Sequence, residues 1–173
     1  MSINTFAYYT GQVDLFPYTY EPLGWAACDG RLLPIQSYPV LFSLIGTTYG
    51  GDGVNAFALP KVTSQDVLQS ADDRLSFFIC LDGVDPTKEI ATNFLGHISL
   101  FAFSRIPSNM QLCDGRLLTI SDNSALYSLI GPYFGGDEVR NFALPFLLPP
   151  VGLNGLGQGK YCICTDGVFP SFS

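Results

Sequence analysis

An internal repeat constrains this sequence more than any other feature. The hexapeptide Cys-Asp-Gly-Arg-Leu-Leu stands at residues 28–33 and again, 85 positions later, at residues 113–118. The same offset carries Ser-Leu-Ile-Gly, Gly-Gly-Asp and Phe-Ala-Leu-Pro from the first half of the chain onto the second. The register does not slip between residue 11 and residue 60. Such a pattern indicates two copies of one structural unit.

The two copies set the expected domain boundaries. Each ends on the pattern Cys-x-Asp-Gly-Val, so the unit includes a closing strand. We expect a first module at residues 11–86, a polar connection at residues 87–95 and a second module at residues 96–173. Residues 1–10 lie outside both modules, and their apolar and aromatic side chains predict a strand that adds to the sheet of a neighbouring subunit. The predicted assembly residues are Ile3, Phe6, Tyr8 and Tyr9.

Local patterns within each copy predict an α+β unit. An alternation of polar and apolar residues favours an opening strand with one buried face. Asp-Gly pairs favour hairpin turns, and short apolar-periodic segments that stop at glycine favour helices. The predicted order in each module is strand, turn, helix, glycine loop and strand. The predicted strands cover residues 12–16 and 97–101, the turns residues 29–30 and 114–115, and the helices residues 37–45 and 121–130.

Composition and charge narrow the possible partners. Apolar residues make up 47% of the chain and charged residues only 13%, which predicts that some surface is covered by other copies of the protein. The net charge of -7, with scattered basic residues, excludes a nucleic-acid-binding protein. Gly, Pro and Asp interrupt every apolar run, so no membrane span is expected. The first residues show no signal-peptide pattern.

Several motifs in the first copy resemble a known family. They are Gly-Gln-Val-Asp-Leu-Phe at residues 11–16, Pro-Leu-Gly-Trp-Ala-Ala-Cys-Asp-Gly at residues 22–30, the glycine-rich segment 41–53 and Phe-Ala-Leu-Pro at residues 57–60. In this order they resemble the phage tail collar family, whose bacterial members are called microcystin-dependent proteins. The resemblance implies a small module of tail fibres and bacterial proteins that self-associates and has no established catalytic residues.

The five cysteines allow more than one interpretation. Cys28 and Cys80 occupy the same places in the first copy as Cys113 and Cys164 in the second, so two equivalent disulfides are one candidate. Cys162 has no counterpart, and an odd count fits either a free thiol or an intermolecular link. The alternative is that the cysteines pack as small apolar side chains.

The glycine loops carry the candidate ligand residues Asp52, Asn55, Asp137 and Asn141. Their oxygen atoms suit a glycan or Ca²⁺, but neither loop has the spacing of an EF-hand, and turn formation is the simpler interpretation. The many aromatic residues are another possible carbohydrate platform, although core and interface positions explain most of them.

No motif selects a catalytic nucleophile, a carboxylate pair or a cofactor site. The sequence therefore predicts a non-enzymatic subunit of a phage-tail-like or bacterial extracellular fibre, located on a virion or a cell surface. This subunit is expected to assemble with itself through apolar and aromatic surfaces. The alternative is an adhesin, or a tail-fibre module that binds a receptor or a cell-surface glycan.

Overall fold

The computed structural model describes residues 8–62, 76–88, 90–149 and 159–170. These residues form a mainly β structure with two short helices, one in each copy. The first copy contains β1 (Gln12–Phe16), β2 (Trp25–Ala27), β3 (Leu32–Pro34), α1 (Pro39–Ile45), β4 (Ala56–Ala58) and β5 (Ser76–Cys80). The second contains β6 (Ile98–Phe101), β7 (Met110–Leu112), β8 (Leu117–Thr119), α2 (Ser124–Ile130), β9 (Asn141–Ala143) and β10 (Lys160–Cys164).

One antiparallel sheet runs through both copies. Its six strands lie in the order β2-β5-β1-β6-β10-β7, so each copy supplies three adjacent strands. Counted outward from the middle, the order is the same in each direction, because β1 corresponds to β6, β5 to β10 and β2 to β7. The remaining strands form two small hairpins, β3 with β4 and β8 with β9. The tandem repeat therefore folds around a single continuous sheet.

The junction between the copies is the pairing of β1 with β6. Val13 lies opposite Leu100, and the Gly11 carbonyl accepts a hydrogen bond of 3.0 Å from the Ala102 N–H. Buried side chains of both copies, including Val13, Leu100 and Phe103, belong to one core cluster. Since this cluster crosses the junction, we expect the two copies to depend on each other for stability.

The second copy inserts residues into the first. Phe103 is buried against Gly11, where an added Cβ atom would lie only 2.8 Å from the Phe103 ring. The Tyr49 hydroxyl donates a hydrogen bond of 2.7 Å to the Ala102 carbonyl. The equivalent residue of Phe103 in the first copy is Tyr18, which lies instead in an aromatic surface cluster. The two copies therefore share a fold but not the same environment.

Both helices are shorter at their N-termini than the sequence predicts. Each has seven residues, and α1 has Pro39 in its first turn, where the missing N–H costs no helical hydrogen bond. The preceding residues are held in turns instead: the N–H of Tyr38 donates to Ile35 and that of Asn123 to Ile120. Among the described residues, no helix has the length and apolarity needed to cross a membrane.

The Asp-Gly pairs do not form the predicted hairpins. In the first copy the strands on either side belong to different sheets, because β2 pairs with β5 whereas β3 pairs with β4. A side-chain turn explains the geometry: Asp29 Oδ1 accepts the Arg31 N–H at 3.0 Å, and Asp114 repeats this contact with Arg116 at 3.1 Å. The pair therefore passes the chain from one sheet to the next.

Candidate functional sites

The predicted ligand loop of the first copy is held by its own aspartate. Asp52 Oδ1 accepts hydrogen bonds from the N–H groups of Val54, Asn55 and Ala56 at 2.8–2.9 Å. Asp52 Oδ2 accepts the Asn55 side-chain amide at 3.1 Å. These donors stabilise the ionised carboxylate and hold the Asp52 pKa well below its ordinary value. The loop thus presents the Val54 side chain to solvent on a fixed backbone.

The second copy repeats this arrangement. Asp137 Oδ1 accepts the N–H groups of Val139, Arg140 and Asn141 at 2.7–3.0 Å. Asn141 completes the loop, since its side-chain oxygen accepts the Asp137 N–H and its amide donates to Asp137 Oδ2. The side-chain oxygens of Asp52, Asp137 and Asn141 therefore shape the loops themselves.

We expect Asp52 to make stability depend on acid pH. A carboxyl group whose folded pKa is lowered contributes stability above its unfolded pKa of about 4, and this contribution disappears as the pH falls through the folded pKa. Asp52→Asn keeps one acceptor oxygen but has no charge to lose. The melting temperature of this variant should therefore fall less than that of the natural protein between about pH 5 and about pH 2. Equal falls would show that the carboxylate charge is not used in the loop.

The cysteines do not form the two candidate disulfides. Cys80 of β5 lies opposite Trp25 of β2. The Cys28 N–H donates instead to the carbonyl of Phe77, which precedes Cys80 by three residues. Three strand residues span about 10 Å, and an odd offset places the two side chains on opposite faces of the sheet. A disulfide needs Cα atoms within about 7 Å. Cys113 and Cys164 are separated in the same way, because Cys164 lies opposite Met110 and the Cys113 N–H donates to Tyr161.

All five cysteines are buried free thiols. Burial raises the pKa of Cys113 and of Cys162 to about 12 and that of Cys80 to about 11. Cys162 is fully buried in β10, between β6 and β7, so of its two candidate roles the structure favours the free thiol over the intermolecular link.

We expect the thiols to be unreactive until the protein unfolds. A thiol-reactive chromogenic disulfide should modify none of the five cysteines at neutral pH within minutes and all five in denaturant, because the thiolate is the reacting species. Rapid modification of the folded protein at a rate like that of free cysteine would contradict the buried positions.

The N-terminal residues that the structure describes lie within the fold. Tyr9 is fully buried, and its hydroxyl donates a hydrogen bond of 2.8 Å to Asn109 Oδ1. Its backbone pairs with that of Val84 in an isolated β-bridge. Phe94, which is equivalent to Tyr9 in the second copy, pairs with Val168 in the same way. The repeated unit therefore begins before residues 11 and 96. Tyr9 is consequently not available to a neighbouring subunit, which corrects its predicted role as an assembly residue. Tyr8 is half-exposed, and Ile3 and Phe6 lie outside the described residues.

Large apolar side chains are exposed at equivalent positions of the two copies. They occur on the small hairpins and on the aspartate-held loops. The exposed fractions are 61% for Leu32 and 59% for its equivalent Leu117, and 77% for Val54 and 79% for its equivalent Val139. Tyr133 and Phe134 add a pair of exposed rings in the second copy. The two copies therefore expose apolar side chains at the same positions of the shared fold.

Five aromatic rings of the first copy, each in contact with the next, form a group here called the aromatic row. Tyr20 stacks on Tyr18 with ring centroids 4.2 Å apart, and Tyr18 lies 5.3 Å from Phe16. Phe16 then contacts Trp25 at 5.6 Å, and Trp25 contacts Tyr8 at 5.0 Å, both edge to face. Desolvation raises the pKa of the Tyr18 phenol, and the nearby phenols of Tyr20 and Tyr8 raise it further. The sequence prediction did not single out this row.

A family model for the phage tail collar domain matches residues 11–67 and residues 96–147, which together exceed half of the chain. The chain belongs to the phage tail collar domain family. Its two matched regions are the two copies of the repeat, so this collar protein carries the domain in tandem. No curated protein and no solved structure matches the chain.

Membership of this family indicates a structural role in a phage tail fibre. The same membership associates the collar tandem with a virion or phage tail. The collar domain is a structural domain that is not known to be enzymatic. The matched regions contain β1 and β6, both helices and both glycine loops, which are the elements that the repeat motif encodes.

Proposed function

We propose that this collar tandem is a self-assembling subunit of a phage tail or a tail-like fibre, and that its repeated exposed apolar positions contact neighbouring subunits. The observation that carries the proposal is the near-equal exposure of Leu32 with Leu117 and of Val54 with Val139. A monomer gains nothing from exposing the same apolar side chains twice, whereas a subunit that meets its neighbours through both copies does.

The loop geometry supports the same role. Asp52 and Asp137 fix the backbone of their loops by accepting three N–H groups each. A fixed loop loses little conformational entropy when it is buried in an interface, so more of the apolar contact energy remains as affinity. Val54 and Val139 are therefore presented in a form suited to tight packing.

A pair of matched variants tests this proposal. Leu32→Ser combined with Leu117→Ser removes the equivalent exposed side chains of the two hairpins. Leu23→Ser is the control, because Leu23 is fully exposed but its equivalent in the second copy is Ser108. Light scattering during size-exclusion chromatography should show the double variant shifted toward the 18.8 kDa monomer and the control unchanged. An unaltered assembly mass in the double variant would contradict the proposal.

A further inference from the structure

We infer that the aromatic row of the first copy binds a neutral glycan chain. The row consists of Tyr20, Tyr18, Phe16, Trp25 and Tyr8. This function goes beyond the proposed structural role and does not depend on it. It also moves the expected glycan contact away from the two glycine loops, whose aspartate oxygens accept hydrogen bonds within the loops.

The second copy serves as an internal reference for the row. At the equivalent positions Arg105 replaces Tyr20, Met110 replaces Trp25 and Asn93 replaces Tyr8. Phe101 and Phe103 remain aromatic there, but both are buried. The equivalent face of the second copy is filled by the protein itself, with Tyr9 packed on Phe101 at 5.8 Å and bonded to Asn109. The shared fold therefore does not require the row, which is a feature of the first copy alone.

The row is anchored to the sheet rather than carried on a free loop. Phe16 belongs to β1 and Trp25 to β2, and both lie on the same face as Phe78 of β5, between them. Phe78 is fully buried and contacts Phe16 at 5.6 Å and Tyr18 at 6.3 Å. The rings are therefore held in place before any ligand arrives, which reduces the entropy lost on binding.

The chemistry of the exposed rings suits a sugar. Tyr20 is 68% exposed and Tyr8 46% exposed, so rings at the two ends of the row reach solvent. An aromatic face carries partial negative charge and attracts the C–H groups on the flat face of a pyranose, while the tyrosine hydroxyls can hydrogen-bond to sugar hydroxyls. Tyr18 covers one face of Tyr20, so a sugar would stack on the opposite face of Tyr20, and the exposed ring of Tyr8 offers a second contact.

A polar rim flanks the row at the edge strand. Glu21 follows Tyr20, accepts the Ala27 N–H at 3.1 Å and forms an ion pair with Arg31. Arg31 is in turn bonded to Asp29 at 2.7 Å. These groups provide donors and acceptors for sugar hydroxyls beside an apolar platform. With a net charge of -7 and one guanidinium already paired to two carboxylates here, a neutral glycan fits better than a polyanion.

The single tryptophan makes the proposal directly measurable. Trp25 is the only tryptophan of the chain and lies within the row, so a stacked sugar should change its fluorescence. The purified full chain would be titrated with a β-1,4-linked glucose hexasaccharide and a β-1,4-linked N-acetylglucosamine hexasaccharide, and printed on an array of neutral glycans. We expect a saturable fluorescence change with at least one neutral glycan, unaffected by moderate salt because no charge pairing is involved.

Variants separate the row from other aromatic surfaces. Tyr20→Ala should weaken glycan binding roughly tenfold, or about 1.4 kcal/mol, because it removes one stacking ring. Tyr133→Ala, which removes a ring exposed on the second copy, should leave binding unchanged. The assembly mass, read from the same samples by light scattering, should be unchanged in Tyr20→Ala. Failure to bind any neutral glycan would overturn the proposal. Loss of assembly in Tyr20→Ala would also overturn it and would identify the row as a subunit contact.

Discussion

Replacing Tyr9 by alanine is expected to lower the free energy of unfolding by about 3–5 kcal/mol, the range for removing a large buried aromatic side chain. Tyr9 precedes the first repeat motif, yet it is fully buried and packs on Phe101 of the second copy. Its hydroxyl donates to Asn109 Oδ1 at 2.8 Å and accepts the Ala91 N–H at 2.9 Å. The side chain therefore connects the start of the first copy to the core of the second. Urea unfolding followed by circular dichroism would measure the loss.

Two further variants identify the origin of this loss. Tyr9→Phe keeps the ring but leaves Asn109 and the Ala91 N–H without their buried partner, which should cost about 1–3 kcal/mol. Phe94→Ala changes the equivalent residue of the second copy, which is partly exposed, and should cost less than Tyr9→Ala. A loss below about 1 kcal/mol for Tyr9→Ala would mean that Tyr9 does not bridge the two copies.

Gly51→Ala and Gly136→Ala are also expected to lower the free energy of unfolding, each by at least about 2 kcal/mol. Gly51 has a φ of +100°, and a Cβ atom there would lie 2.5 Å from the Ala56 carbonyl oxygen. Gly136 has a φ of +112°, with the Asn141 carbonyl oxygen 2.6 Å from the added atom. Both neighbours are backbone atoms that cannot rotate away. Differential scanning calorimetry of the two variants should show large decreases of similar size.

Two other glycines provide the control for this comparison. Gly46 and Gly131 end the two helices with φ values of +54° and +55°, and an added Cβ atom would meet nothing within 4 Å. Alanine at either position should cost the backbone penalty alone, about 1–3 kcal/mol, and therefore less than alanine at Gly51 or Gly136. If Gly51→Ala were as mild as Gly46→Ala, the close backbone approach behind the repeated Gly-Gly-Asp motif would be wrong.

Local patterns were sufficient to predict several elements. Alternation identified β1 and β6, and the glycine stops located the ends of both helices. The strand order was beyond local reasoning, because β1 pairs with β5 across a long stretch of chain and with β6 of the other copy. The hairpin prediction at the Asp-Gly pairs was wrong because the same dipeptide can close a hairpin or connect strands of two different sheets. Only the pairing partners of β2 and β3 distinguish the two cases.

The candidate sites were predicted less well than the fold. Matching cysteine positions show that the two copies are equivalent, but they do not show how the strands pair. The pairing of β2 with β5 places Cys28 and Cys80 too far apart for a disulfide. Tyr9 carried a usable signal, since the offset matches it to another aromatic residue, Phe94. The sequence signal for the aromatic row is the divergence of the two copies at Tyr20 and Trp25, whose equivalents are not aromatic. Sequence alone does not say which aromatic rings face solvent.

The central functional claim is that the collar tandem assembles with itself, and the mass of the purified chain in solution tests it most directly. Multi-angle light scattering across a range of micromolar concentrations, with negative-stain electron microscopy of the same samples, should show rings, filaments or a defined multiple of 18.8 kDa. Reductant should leave the assembly unchanged, because all five thiols are buried and free. A monomer of 18.8 kDa at every concentration would contradict the claim.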